Sequence, residues 1–383
     1  MGHVAADQLT VARPTGLSDY ADVGVHAAPL GTFVSLYSGA GGLDIGFALA
    51  GFAPVWVNDL DSQAIDTHER MQKRLRDERP HLHDVACTTI AGSILDLQAH
   101  DLLPGRGSAD LVIGGPPCQG FSVAGKMDPL DRRSEHVFRF LDVVARVRPR
   151  AFVMENVKAL YENRRWAGIR DALRQRAELL GYSTEIVLLN AAHFGVPQAR
   201  ERMVLMGSLD GTPKLPVPTT ADNPPTIRQA FAQLPPFGMP GNDSLCAAKI
   251  TTAKIPVLRK SPFAGMLFNG AGRPMDVDSP ALTLPASMGG NKTAIVDQQQ
   301  LDTGSEPWII SYHRHLMSGG APWPGAPSYL RRLTVEEASV LQTFPLGMDW
   351  AGPQSSQYRQ IGNAVPPRLA LAVAEAIKAT LSL

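Results

Sequence analysis

From residue 32 to residue 207 the chain alternates short apolar runs with longer amphipathic stretches. Thr32–Tyr37, Ala53–Val57, Thr88–Ala91, Leu111–Ile113, Ala151–Met154, Thr184–Leu189 and Met203–Met206 have the length and apolar character of buried strands. Leu43–Leu49, Ala64–Arg79, Ser134–Val147 and Lys158–Leu180 read as helices. In the third of these, Val137, Phe140, Leu141 and Val144 fall on one face. Strand and helix in turn predict an α/β domain, a sheet with helices on both faces.

This pattern stops at Ser208. Prolines 213, 216, 218, 224, 225, 235, 236 and 240 mark a stiff, irregular connection. No regular βα alternation returns before residue 331. There Thr334 and Glu337 have the spacing of a capping box at a helix start. Tyr358–Pro367 leads into a last helix, Arg368–Leu381. The expected organisation is a leader over 1–30, a catalytic domain over 31–207, a smaller β-containing domain over 208–330 and a return to the catalytic domain over 331–383. A chain of 383 residues is long enough for two domains.

Charge narrows the picture. Lys+Arg and Asp+Glu each number 36, so a nucleic-acid contact would have to be local. Such a place exists: Lys249, Lys254, Arg259, Lys260 and Arg273 fall in a stretch without a carboxylate. The bland alternative is an ordinary β-rich insertion. The three cysteines, Cys87, Cys118 and Cys246, have no metal-ligand spacing and are too few for a disulfide framework. A reduced, cytoplasmic setting fits, with no signal peptide and no apolar run long enough to span a bilayer.

The chemistry centres on Asp110–Lys126, DLVIGGPPCQGFSVAGK. Gly114-Gly115-Pro116-Pro117 forces the chain out of the sheet after the apolar run. Cys118 is thereby expected on a loop at a strand's carboxyl end, where open α/β sheets bind ligands. A lone cysteine is more often a small buried hydrophobe, but this loop favours a nucleophile. Ser38-Gly39-Ala40-Gly41-Gly42, between the first strand and first helix, would let a ligand approach the backbone at a helix N-terminus. Asp59, past the second strand, is placed to accept hydrogen bonds from ribose hydroxyls, with Asp61 the alternative. Glu155 ends the fifth strand. Arg200 and Arg202, at i and i+2 on an extended segment, point the same way.

These motifs, in this order, resemble the DNA (cytosine-5)-methyltransferase family. Gly114, Pro116, Pro117, Cys118, Gln119, Phe121 and Ser122 fit its Gly-x-Pro-Pro-Cys-Gln-x-Phe-Ser loop. Tyr37, Gly39, Gly41 and Gly42 fit its Phe-x-Gly-x-Gly-Gly cofactor loop, with tyrosine in the usual phenylalanine position. Glu155-Asn156-Val157, Gln198-x-Arg200-x-Arg202 and Leu341-Gln342-x-Phe344-Pro345 match further elements. Ser93 stands where the family usually has aspartate, Asp59 where it more often has glutamate, and Glu336 where arginine is more usual.

The resemblance implies a Rossmann-like S-adenosylmethionine-dependent methyltransferase, with a target-recognition domain in the irregular region. Cys118 would be the nucleophile, Glu155 would bond the cytosine ring, and Arg202 would hold the base oxygen. Arg200 would fix a phosphate or the Cys118 loop. Tyr37, Gly39, Ala40, Gly41, Gly42, Asp59, Ser93, Ile94, Pro117, Asn363 and Val365 would line the cofactor pocket. Gln119, Ser122, Lys254, Arg259 and Lys260 would meet double-stranded DNA. The expected enzyme is a monomer on DNA, the modification half of a restriction–modification pair, with no metal. A transfer-RNA cytosine methyltransferase and a catalytically silent DNA-binding relative are the alternative readings.

Overall fold

The computed structural model describes residues 20–99, 102–117 and 135–383. Its strands are β1 (Gly31–Leu36), β2 (Phe52–Asp59), β3 (Thr88–Ala91), β4 (Leu111–Gly114), β5 (Ala151–Val157), β6 (Ser183–Asn190), β7 (Gln198–Ala199), β8 (Glu201–Ser208), β9 (Thr252–Val257), β10 (Met266–Phe268), β11 (Ala281–Leu282), β12 (Ile295–Asp297) and β13 (Leu330–Arg332). Its α-helices are α1 (Gly42–Leu49), α2 (Ser62–Glu78), α3 (Ile94–Ala99), α4 (His136–Val147), α5 (Lys158–Glu162), α6 (Ala167–Leu179), α7 (Ile227–Phe231), α8 (Gln298–Thr303), α9 (Trp308–Met317), α10 (Val335–Leu341), α11 (Gln354–Asn363) and α12 (Pro367–Thr380).

Seven strands form the central sheet, in the order β3-β2-β1-β4-β5-β8-β6. The five from β3 to β5 are parallel, while β8 runs antiparallel between β5 and β6. The expected α/β sheet is therefore present. Alternate residues of the inner strands serve two cores. Val34, Leu36, Val112, Phe152, Met154, Met203 and Leu205 pack with α4 and α6. Phe33, Leu111, Ile113, Ala151, Val153, Val204 and Met206 pack with α1 and α12. Burial on both faces explains why the inner strands, such as β4 and the start of β5, read as unbroken apolar runs.

The chain's last helix closes on its first. A Cβ on Gly42 would stand 2.2 Å from the Val365 carbonyl oxygen, so only glycine lets these segments meet. Two expected helices are divided differently. Lys158–Leu180 is α5 and α6 separated by a 3-10 turn over Arg164–Trp166, which Asn163 caps by accepting from the Arg165 amide at 3.0 Å. Tyr358 lies within α11, a helix of its own. Pro366 and Pro367 stop α11 from continuing and start α12 with proline in its first turn.

The irregular region contains the β9–β10 hairpin and two short strands that pair outside it, β11 with β7 and β12 with β13. Its apolar residues are shared as well. Ile227, Phe231, Val277 and Leu284 pack with Leu333, Val335, Leu341 and Ile361. The capping box forms as expected: Thr334 accepts from the Glu337 amide and Glu337 from the Thr334 amide. Glu337 also holds both terminal nitrogens of Arg331, at 2.6 and 2.7 Å, in a buried bidentate pair.

Candidate active site

The reversed strand β8 builds one half of the site. Glu155 pairs in register with Val204, and Val157 with Arg202, so Glu155 and Arg202 are diagonal neighbours on one face. Arg202 Nε lies 2.7 Å from Glu155 Oε1, with both side chains largely buried. Arg202 Nη1 also donates to the Glu201 carbonyl at 2.8 Å. Burial pushes the Glu155 carboxyl above the usual carboxylate range, outweighing the pull of Arg202 and then Arg200.

The loop after β4 starts beside this pair. Gly114 is in register with Met154, and a Cβ on Gly115 would come 3.0 Å from Glu155 Oε2. Asn156, 1% exposed, donates from its side-chain amide to the Pro116 carbonyl at 3.2 Å and anchors the Pro-Pro turn. Pro117 is the last residue described before the loop. Cys118, Gln119 and Ser122 lie outside the described residues.

Arg200 lies in the interior, and the Cys118 loop, one of its two expected partners, lies outside the described residues. Arg200 is 1% exposed and donates to the carbonyls of Leu284 and Gly362, at 3.2 and 2.8 Å. From this interior position it ties the turn after β11 and the end of α11 to the sheet. Its charge still acts on Glu155. Gln198, two residues earlier and fully buried, accepts from the Leu284 amide and donates to the Leu341 carbonyl and the Gln342 side-chain oxygen.

The second half of the site lies at the carboxyl ends of β1, β2 and β3. Tyr37, Gly39 and Gly41 adopt positive φ, at 55°, 55° and 84°, which turns the chain sharply into α1. Asp59 Oδ2 accepts from the Gly39 amide at 2.8 Å and Oδ1 from the Asp61 amide at 2.8 Å, leaving lone pairs on each oxygen for hydroxyl donors. Burial raises the Asp59 carboxyl, against the pull of those two amides. Asp61 instead caps α2 and pairs with Arg359 at 2.8 Å. The Asp59 carbonyl accepts from Gly92, bringing Ser93 and buried Ile94 to the same edge. The Ser93 hydroxyl accepts from the Leu95 amide at 3.3 Å. Val365 reaches the loop through its carbonyl beside Gly42, while Asn363 is exposed at the end of α11.

Two members of this edge were not expected from sequence. Buried Asn58 donates to the carbonyls of Ile90 and Gly92, at 3.0 and 2.9 Å, and fixes β3 against β2. A polar residue inside a buried strand was its available signal. His136, at the start of α4, lies 3.1 Å by Nδ1 from the Tyr37 hydroxyl. No short-range pattern links residues 37 and 136.

Among the described residues nothing lies within 4 Å of a Cβ built on Gly39, so the described structure leaves the space above the loop open there. At Gly41 a Cβ would meet His68 Cδ2 at 2.7 Å. Gly39→Asn therefore separates ligand access from folding, because asparagine tolerates the left-handed region. It is expected to weaken cofactor binding at least about tenfold in calorimetry, with a Tm shift of about 4–8 °C or less. Unchanged affinity would remove this loop from the site. Gly41→Val is expected to unfold at lower temperature, since it strains φ and pushes on His68.

Lys254 on β9, Arg259 and Lys260 are all exposed, and among the described residues none forms an ion pair. Also among the described residues, no helix is long and apolar enough to cross a membrane and no cluster of metal-ligating side chains occurs.

The chain is 32% identical to the type II methyltransferase M1.HphI of Haemophilus parahaemolyticus, over 90% of this chain and 86% of that protein. It is 28% identical to the type II methyltransferase M.AgeI of Thalassovita gelatinovora, over 91% of this chain and 99% of that one. The Dnmt2 methyltransferase structure of S. pombe shares the fold, with a TM-score of 0.61 at 19% identity over 92% of this chain and 99% of that one. The family model for C-5 cytosine-specific DNA methylases matches residues 31–379, the whole length of the sheet and both halves of the site, and the chain belongs to that family.

Proposed function

We propose that this enzyme transfers a methyl group to C5 of a cytosine in a specific duplex sequence, through a covalent bond between Cys118 and C6. The observation that carries this reading is the Glu155–Arg202 pair beside Gly115, at the head of the Pro-Pro-Cys loop. Cytosine C5 is a poor nucleophile. Addition of the Cys118 thiolate at C6 makes the ring an enamine, and C5 gains the electron density to attack an electrophilic methyl. Glu155 bonds N3 and the N4 amino group. Its raised affinity for a proton suits it to neutralise charge that develops on N3 during attack. Arg202 holds the base oxygen O2. The target base leaves the helix stack to reach these groups.

The cofactor is S-adenosylmethionine, which supplies the methyl group. Asp59 would take the ribose hydroxyls, and the open backbone at Gly39 would take its close approach. Tyr37, Ala40, Gly41, Gly42, Ser93, Ile94, Pro117, Asn363 and Val365 complete the assignment. Residues 208–330 form the target-recognition domain, residues 331–383 return to the catalytic domain and its cofactor site, and the enzyme binds DNA as a monomer. Its setting is the cytoplasm, and its role is protection of host DNA against a partner restriction endonuclease. Transfer of tritium from labelled cofactor to duplex DNA, and not to RNA, is the expected result. Labelled RNA alone would overturn the substrate assignment.

The basic residues make a separate prediction. Lys254→Ala, Arg259→Ala and Lys260→Ala together should weaken duplex binding and flatten its salt dependence by about 0.9 in log–log slope per lost phosphate contact. An unaltered slope would turn this surface away from DNA.

A further inference from the structure

Ser35, Asp44 and His68 form a buried polar group that the chemistry above does not use. Asp44 stands in the first turn of α1 and is fully buried. Its Oδ2 accepts from the Ser35 hydroxyl at 2.9 Å, and its Oδ1 lies 3.0 Å from His68 Nε2. His68, on α2, is 1% exposed and sits directly under the glycine loop, within 2.7 Å of the Cβ position of Gly41. Its other nitrogen, Nδ1, is buried with no hydrogen-bond partner among the described residues.

Hydrogen-bond accounting assigns the charge. Ser35 is neutral. A proton on Nε2 lets His68 donate to Asp44, and a bare Nδ1 faces no donor it would have to satisfy. A second proton on Nδ1 would be a buried donor without an acceptor. The group as a whole is then anionic, in a dry place where charge acts over distance. The N-terminal end of α1 points its positive dipole at the same loop, which alone would disfavour a cation above it.

We propose that Asp44, oriented by Ser35 and His68, is the counter-charge for the sulfonium of S-adenosylmethionine. It thereby sets the preference for the cofactor over its uncharged thioether product, S-adenosylhomocysteine. This rests on the cofactor assignment made above. The two molecules share the adenosine and the zwitterionic amino acid. Those parts cancel in the ratio of affinities, and the sulfonium charge remains. Fully buried beneath the loop, Asp44 would act through the field there rather than by contact, as a positioning residue.

Calorimetry on the full chain tests this with both ligands. Asp44→Asn is expected to shift the ratio of the two dissociation constants about three- to tenfold toward the thioether. The double variant Asp44→Leu, His68→Leu removes the charge with its partner, a replacement that buried polar pairs often tolerate, and should shift the ratio the same way. Equal weakening of both ligands, with the ratio kept, would overturn the proposal and leave the group a scaffold for the loop. If the unaltered protein bound neither ligand, the cofactor assignment itself would fail, and the inference with it.

Discussion

Glu155→Gln is expected to lower kcat by about 10²- to 10⁴-fold while KM for duplex DNA stays within a few-fold. The glutamine amide can donate to N3 and accept from the N4 amino group, so recognition of the base survives. It cannot give up a proton as charge builds on the ring, so stabilisation confined to the transition state is lost. It also keeps an oxygen for Arg202, which now pairs with Glu155 at 2.7 Å, and this limits the cost to the fold. The pH dependence of stability gives an independent check. Burial raises the folded-state pKa of Glu155, so its contribution is fully present below the unfolded carboxylate pKa. That contribution is lost as pH rises through the raised value. The stability difference between unaltered protein and Glu155→Gln should therefore fall with pH from about pH 4.5 upward. A difference that grew with pH would mean that Arg202 and Arg200 dominate the carboxyl instead.

Cys118→Ser is expected to cost about 10⁴- to 10⁶-fold in turnover, as loss of a nucleophile does elsewhere. At neutral pH a serine hydroxyl is a far weaker nucleophile than a thiolate, and the enamine cannot form without addition at C6. Duplex affinity should be kept if, as proposed, phosphate contact lies with Lys254, Arg259 and Lys260. Single-turnover methylation and gel-shift titration separate the two effects. Methylation by Cys118→Ser at the unaltered rate would mean that Cys118 is not the attacking group.

The sheet was legible because its strands are buried on both faces: Leu111–Ile113 and Ala151–Met154 are apolar without a break. The loop motifs were legible because glycine and proline are needed where Gly115 meets Glu155 and where Gly39 turns at positive φ. Other features depend on pairings distant in sequence. Arg200 reads as a contact for a phosphate or the Cys118 loop, and its burial under β11 and α11, with donors on the Leu284 and Gly362 carbonyls, has no signal in the local sequence. The Tyr37–His136 contact and the Asp44–His68 pair join elements whose packing no local pattern announces. The interlocking of residues 208–330 with α10 and α11 was equally hidden, since single strands such as β12 gain meaning only from their partners.

Covalent catalysis at Cys118 is tested most directly by a duplex carrying 5-fluorocytosine at the methylated position. After attack at C6 and methylation at C5, the group on C5 must leave before the thiolate can. Hydrogen leaves as a proton, whereas fluorine cannot leave as a cation, so the reaction should stop with protein bonded to DNA. The expected complex survives a denaturing gel, requires S-adenosylmethionine, disappears in Cys118→Ser and maps by peptide sequencing to Cys118. Full turnover of the fluorinated duplex, or an adduct on Cys87 or Cys246, would contradict the mechanism.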